Sequence, residues 1–157
     1  MVPGLGERVE AALGTLLLRR NRRDLYRPLT EGVGSGVNAT TYPVISGVSR
    51  LGPITATDLA PEVGLDRTVT SRYATQLVDR GLLRRSPDPT DPRRSLLTLT
   101  TDGEAVVATM RRRLVATIDG QLASWPPEDA RAFAEGLERF TRELRTSPDT
   151  GDPSDDP

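Results

Sequence analysis

Two groups of residues in this 157-residue chain have the types and spacing to meet a polyanion. The first is Arg67, Thr68, Ser71, Arg72 and Thr75, at i, i+1, i+4, i+5 and i+8. On a helix these make one exposed ridge of guanidiniums and hydroxyls with no carboxylate in it. Such a ridge suits the major groove of DNA. The second group is Asp91, Arg93 and Arg94, near the end of a loop rich in proline and aspartate. A narrow minor groove concentrates the negative potential that draws an arginine side chain into it. Asp91 lies two residues before Arg93, close enough to aim its guanidinium.

These groups need elements to hold them, and the stretch from Ile54 to Thr100 supplies them. Thr55 can cap a first short helix, with Asp58 three residues on able to bond back to the Thr55 amide, and Leu59 and Val63 give that helix an inner side. Gly64 breaks it. Asp66 can accept bonds from the first free amides of a second helix, in which Val69, Tyr73 and Leu77 stand one above another as the inward stripe. Gly81 ends this helix. Leu82 to Ser86 and Ser95 to Thr100 then read as a two-stranded hairpin joined by the loop 87–94, whose prolines and aspartates favour a turn. Two short helices followed by a hairpin with a charged loop form a winged helix-turn-helix.

The run Leu65-Asp66, Arg72, Leu77-Val78-Asp79-Arg80-Gly81-Leu82-Leu83, Arg85, Asp91-Pro92-Arg93, Leu99-Thr100 and Gly103 resembles the MarR family of bacterial transcriptional regulators. The family's wing motif, Asp-x-Arg, is present as Asp91-Pro92-Arg93. Similarity extends over roughly Leu5 to Leu144, and Leu59 to Gly103 carries its discriminating part. There are two departures. Pro61 falls inside the first helix of the motif, where it removes an amide donor and crowds the preceding turn. Arg94 is followed by Ser95, without the longer basic run of some members.

Composition narrows the chemistry. Hydrophobic residues make up 36% of the chain, enough for a core without a surplus, so a core shared between two subunits would help. The net charge of -1 argues against nucleic acid at first sight, but its distribution reverses the argument. Residues 64 to 97 hold seven arginines against four aspartates. The segment from Ser147 holds Asp149, Asp152, Asp155 and Asp156 and nothing basic; without these four the formal charge would be +3. Every one of the 21 basic residues is arginine, which reflects a GC-rich coding sequence more than selection at each site. There is no cysteine and no histidine. Thiol redox switching, imidazole or thiolate metal ligation and a histidine-based catalytic triad are therefore excluded. No cofactor or metal is expected, nor an enzyme, because only scattered carboxylates remain. With no leader-like start and no stretch of transmembrane length, a soluble cytoplasmic protein that avoids membranes is expected.

Outside the motif the chain reads as helices with long apolar stripes. Residues 1–30 are expected to form an amino-terminal dimerisation helix, with Leu5, Val9, Leu13, Leu16, Leu25 and Leu29 on its stripe. Arg19, Arg20, Arg22 and Arg23 interrupt that stripe. They read as a solvated face, with an electrostatic contribution to DNA or to a partner subunit as the alternative. Gly32, Gly34 and Gly36 make a connection. A short helix then starts at Thr40 or Thr41, with Pro43 in its first turn and Ile45, Val48 and Leu51 facing inward. It opens the DNA-binding lobe, assigned to residues 38–100. Residues 101–146 are expected to form two carboxy-terminal dimerisation helices. Thr100 or Thr101 caps the first, with Val107, Met110, Leu114, Ile118, Leu122 and Trp125 in line; Pro126-Pro127 separates it from the second, with Ala130, Phe133, Leu137, Phe140 and Leu144 in a heptad-like pattern. Residues 147–157 read as a disordered acidic tail.

The fold class is thus mostly α with a small β wing, an α+β winged helix-turn-helix whose flanking helices form a dimerisation domain. The resemblance implies that those helices interleave into a homodimer. A two-fold dimer can place its reading helices in successive major grooves only if they lie about 34 Å apart, so a near-palindromic operator on double-stranded DNA is expected. The resemblance alone implies an effector, a small anionic or phenolic compound that releases a repressor from its operator; operation without a ligand is the alternative, and no ligand-binding residue is singled out. The competing reading of the whole chain is a dimeric winged-helix adaptor that binds protein without reading DNA sequence. Trp125, Phe133 and Phe140 could line a cavity, but at helical spacing they read as core or dimer seam. Tyr42 and Tyr73 are read with the same caution. Operator sequence, regulated genes and the sign of regulation are not legible.

Overall fold

The computed structural model describes residues 3–146; the expected acidic tail, 147–157, lies outside them. The chain divides into two compact units between Val115 and Ala116.

In the first unit, α1 (Leu5–Leu17) and α2 (Arg19–Thr30) replace the single expected amino-terminal helix. The break is at Leu18, which is extended (φ -55°, ψ 134°). Asn21 causes it locally: its side-chain amide donates to the Thr15 carbonyl at 2.6 Å, the acceptor that an unbroken helix would give to the Arg19 amide. At the far end of α2, Arg113 closes the helix by donating to the carbonyls of Pro28, Leu29 and Glu31 at 3.3, 3.2 and 2.6 Å. These last-turn carbonyls have no partners within the helix, and a cation there also opposes the negative end of the helix dipole.

α3 (Tyr42–Leu51) starts after Thr41 and takes Pro43 in its first turn, as expected. It buries Val44, Ile45 and Val48, but Leu51, expected to face inward, is exposed because the helix ends there at Gly52. β1 (Ile54–Thr55), α4 (Ala56–Glu62), α5 (Arg67–Asp79), β2 (Leu83–Pro87) and β3 (Ser95–Leu99) follow. The expected two-stranded hairpin is a three-stranded antiparallel sheet in the order β1-β3-β2. Ile54 pairs with Leu97, and Leu83 pairs with Leu99. β1 is too short to show an alternation, and it exists because β3 offers an open edge beside the start of α4.

The core of this unit joins Leu29, Ile45, Leu59, Leu77, Leu83, Leu97 and Met110, all fully buried or nearly so. Each such side chain contributes about 1.5–3 kcal/mol by leaving water. Two glycines show how tightly the elements meet. A Cβ on Gly103 would stand 2.0 Å from the Leu82 carbonyl oxygen, and one on Gly47 would stand 2.7 Å from Val63 and 2.8 Å from Leu59. Gly103 belongs to α6 (Thr101–Leu122), whose start is tied down by Thr100. The Thr100 hydroxyl donates to the Gly81 carbonyl at 2.6 Å and accepts from the Gly103 amide at 3.0 Å.

The second unit begins within α6 and contains α7 (Pro127–Thr146). Trp125 meets Phe133 with ring centroids 5.4 Å apart and planes tilted by 59°. Neither ring is core: Trp125, Phe133, Leu137, Phe140 and Leu144 are all exposed. The expected inward stripe of α6 likewise holds only in part, with Met110 buried and Ile118 exposed. No helix of the described residues is long and apolar enough to cross a membrane.

Candidate nucleic-acid interface

The carboxylate of Asp66 starts α5 by accepting from the amides of Thr68 at 2.7 Å and Val69 at 3.3 Å. These bonds, from Val69 and Thr68, hold the Asp66 carboxyl below the usual carboxylate range. With the start fixed, the phase of the helix is fixed as well. Thr70, Ala74 and Leu77 are buried, while Val69 and Tyr73 flank that line half-buried, so the inward stripe is centred one residue later than expected. Thr70 enters the core without cost because its hydroxyl donates to the Asp66 carbonyl at 2.9 Å. The opposite side is the ridge: Arg67, Thr68, Ser71, Arg72 and Thr75 are all exposed. The structure therefore brings together all five residues of the first group.

One further side chain joins the ridge. Arg85, on β2, donates from Nη2 to the Thr75 hydroxyl at 3.0 Å. Its sequence position gave no sign of this, since ten residues and a turn separate the two. The neighbouring Arg84 is turned to the hairpin, donating from Nε to the Thr98 hydroxyl of its cross-strand partner at 2.9 Å.

The loop between β2 and β3 is held by short polar bonds. Asp88 accepts from the Thr90 amide at 2.8 Å and the Thr90 hydroxyl at 2.7 Å, and the hydroxyl and amide of Thr90, with Arg94 nearby, keep the Asp88 carboxyl below the usual range. Asp91 accepts from the backbone amide of Arg93 at 3.0 Å, and the Asp91 carbonyl accepts from the Arg94 amide at 2.9 Å. Asp91 therefore shapes the backbone that carries Arg93; the expectation that it aims the guanidinium is replaced by a turn of the Asx kind. Among the described residues no carboxylate pairs with Arg93, which is exposed.

Arg94 is placed differently. Its Nη2 bonds to Oδ2 of Asp58, and its Nε is 3.9 Å from Oδ2 of Asp88. Asp58 is consequently not bonded back to the Thr55 amide as the sequence suggested; its own amide instead donates to the Thr55 hydroxyl at 3.1 Å. Pro61 is accommodated inside α4, which ends at Glu62, and Gly64 takes a left-handed φ of 65° in the turn to α5.

A cleft of about 630 Å³ adjoins this lobe within the first unit. Arg19, Arg20, Arg22 and Arg23 line it with Tyr26, Pro43, Leu65 and Tyr73. The four arginines thus share the lining of one cleft with aromatic and apolar side chains. Burial pushes the Tyr26 phenol up, with Tyr42, ring centroid 4.3 Å away, adding to it. No cluster of three or more histidine, cysteine, aspartate or glutamate side chains that could hold a metal ion occurs among the described residues.

Comparison with known proteins agrees with this geometry. Residues 37–95 match the family model described as MarR family. Over 136 residues the chain is 26% identical to YxaD of Bacillus subtilis, described as an uncharacterized HTH-type transcriptional regulator, covering 87% of this chain and 92% of that protein. A MarR transcriptional regulator from Methanosarcina mazei superposes with a TM-score of 0.71 at 22% identity, covering 90% of this chain and 99% of that one. MarR of E. coli in its apo form gives 0.67 at 18% identity, with 89% and 98% covered. At these identities the structural likeness shows the fold.

Proposed function

We propose that this chain, whose residues 37–95 match the MarR family model, is a transcriptional regulator of that family and not an enzyme, and that it binds a near-palindromic operator as a homodimer and acts as a repressor in the cytoplasm. The observation that carries the DNA reading is the ridge: five exposed polar residues on one face of α5, free of carboxylates, with Arg93 on the neighbouring wing meeting no carboxylate among the described residues. Arg67, Thr68, Ser71, Arg72 and Thr75 enter the major groove, and Arg93 reaches the adjoining minor groove. A winged-helix adaptor for protein has no need of this combination.

Dimerisation rests on the apolar side chains left in water. Leu5, Leu16 and Leu17 on α1 are 78%, 57% and 62% exposed, and Phe133, Leu137, Phe140 and Leu144 recur along one face of α7. Exposed apolar surface on this scale marks an interface. A second copy of the chain covers the apolar side chains left exposed along α1 and α7, and holds the two reading helices about 34 Å apart. The basic cleft beside Tyr73 suits a small anionic or phenolic effector, with the arginines meeting the charge and the aromatic floor meeting the ring. Binding there changes the separation of the reading helices and releases the operator.

Selection of bound fragments from a random DNA pool tests this reading. It predicts enrichment of inverted half-sites with centres roughly ten base pairs apart. Recovery of no common sequence, with capture independent of inverted symmetry, would support the adaptor instead.

A further inference from the structure

Consecutive arginines at the wing have unlike surroundings. Arg93 is exposed and has no carboxylate partner among the described residues. Arg94 stands between two carboxylates, bonded to Asp58 and within 3.9 Å of Asp88. Its backbone is engaged as well: its amide donates to the Asp91 carbonyl at 2.9 Å and its carbonyl accepts from the Asp88 amide at 3.0 Å. Asp58 lies in the first turn of α4, 36 residues upstream, where its amide is fixed on the Thr55 hydroxyl. Thr55 is itself a β1 residue paired with Leu96 of β3. The side chain of Arg94 therefore closes a loop of contacts that runs from the wing to the helix preceding the reading helix and back through the sheet.

We propose that Arg94 is a positioning residue and not a DNA ligand: with Asp58 it fixes the wing against α4, so that Arg93 alone meets the minor groove. The proposal rests on the DNA-binding reading above. With two carboxylates beside it, the Arg94 guanidinium is less free than that of Arg93 to approach a phosphate and displace the counterions condensed on DNA. The same contact holds the wing's angle to α5, because α4 and α5 share the core through Leu59, Ala74 and Leu77. Each wing then brings one cation to DNA where the sequence offers two. The pair is about half exposed on both sides, so its value lies in geometry and not in fold stability.

The salt dependence of operator binding separates positioning from contact. Arg93→Gln should lower the slope of log affinity against log salt by about 0.9 for each protomer, because one phosphate-side cation is removed. Arg94→Gln and Asp58→Asn should each weaken binding by no more than about 5-fold, the scale of an exposed ion pair, with the slope unchanged. The double variant should be no weaker than Arg94→Gln alone, since both changes break one contact. Arg94→Lys should recover most of the affinity. A slope reduced in Arg94→Gln as in Arg93→Gln, or tighter binding by Asp58→Asn, would overturn the proposal, because either means that Arg94 acts on DNA. A second arm needs no DNA. Hydrogen exchange at the Asp88 and Arg94 amides should quicken in Arg94→Gln and Asp58→Asn, and unchanged exchange would also overturn it. Wild-type protein that binds no DNA specifically would defeat the functional reading while the exchange arm still decides whether Arg94 holds the wing.

Discussion

The winged lobe and the helices outside it satisfy their side chains in opposite ways. Between Thr55 and Leu99, leucine, valine and tyrosine side chains are buried or half-buried, helix starts are capped by Thr55 and Asp66, and the polar groups of the wing bond to one another. Along α1 and α7 the reverse holds: no residue of α1 is buried, and the apolar positions of α7 stay in water. A lobe complete in itself needs no partner to cover its core. Helices with uncovered stripes are unfinished until something covers them, and the proposed second copy of the chain would do so.

The contrast can be broken most forcefully in the core. Leu77→Ala removes a fully buried side chain where α5 meets the rest of the lobe and should cost about 2–5 kcal/mol, read as a lower denaturant midpoint. That loss should not depend on protein concentration in excess of the wild type's own dependence. Phe140→Asp addresses the other region. It should remove about 1.5–3 kcal/mol of association per side chain withdrawn from the seam, and sedimentation should show monomer where the wild type is a dimer. Monomeric wild type, or a dimeric Phe140→Asp with unchanged affinity, would show that α7 is not the seam.

Smaller effects sharpen the same comparison. Thr55→Ala removes the cap of α4 and should cost about 1 kcal/mol in thermal or chemical unfolding, with dimerisation unaffected. The smallest effect is on pH. Asp66 and Asp88 both have depressed folded values against an ordinary 3.8. Their contribution to the lobe is therefore complete above that ordinary value and is lost as pH falls below it, through the folded values. Unfolding curves taken down to about pH 3 should show the wild type losing stability in that window and Asp66→Asn losing less of it. Identical acid profiles would mean that the cap contributes nothing through its charge.

The exposed ridge of α5 was legible because its signals are local. Asp66 fixes the start of α5, and from there the helical repeat assigns Arg67, Thr68, Ser71, Arg72 and Thr75 to one face. The wing was legible from Pro87, Pro89 and Pro92 between two apolar runs. What escaped was set by single contacts without a period. The break at Leu18 comes from one Asn21 side chain taking the Thr15 carbonyl, and apolar spacing continues through it. β1 is two residues long. The partners of Arg94 and Arg85 lie 36 and 10 residues away, and nothing in local pattern distinguishes an arginine left open to solvent from one that faces an aspartate. Apolar stripes gave the helices outside the lobe, yet a stripe does not say whether its cover is the same chain or another.

Fluorescence anisotropy of wild type and Arg93→Ala, on the DNA upstream of the protein's own gene and on a scrambled duplex over a series of salt concentrations, tests the central claim most directly. The account predicts that wild type prefers the upstream DNA at moderate salt, and that Arg93→Ala, still folded and dimeric, loses about 1–3 kcal/mol of that binding. Equal affinity of the variant and the wild type for a DNA that the wild type binds specifically would contradict it.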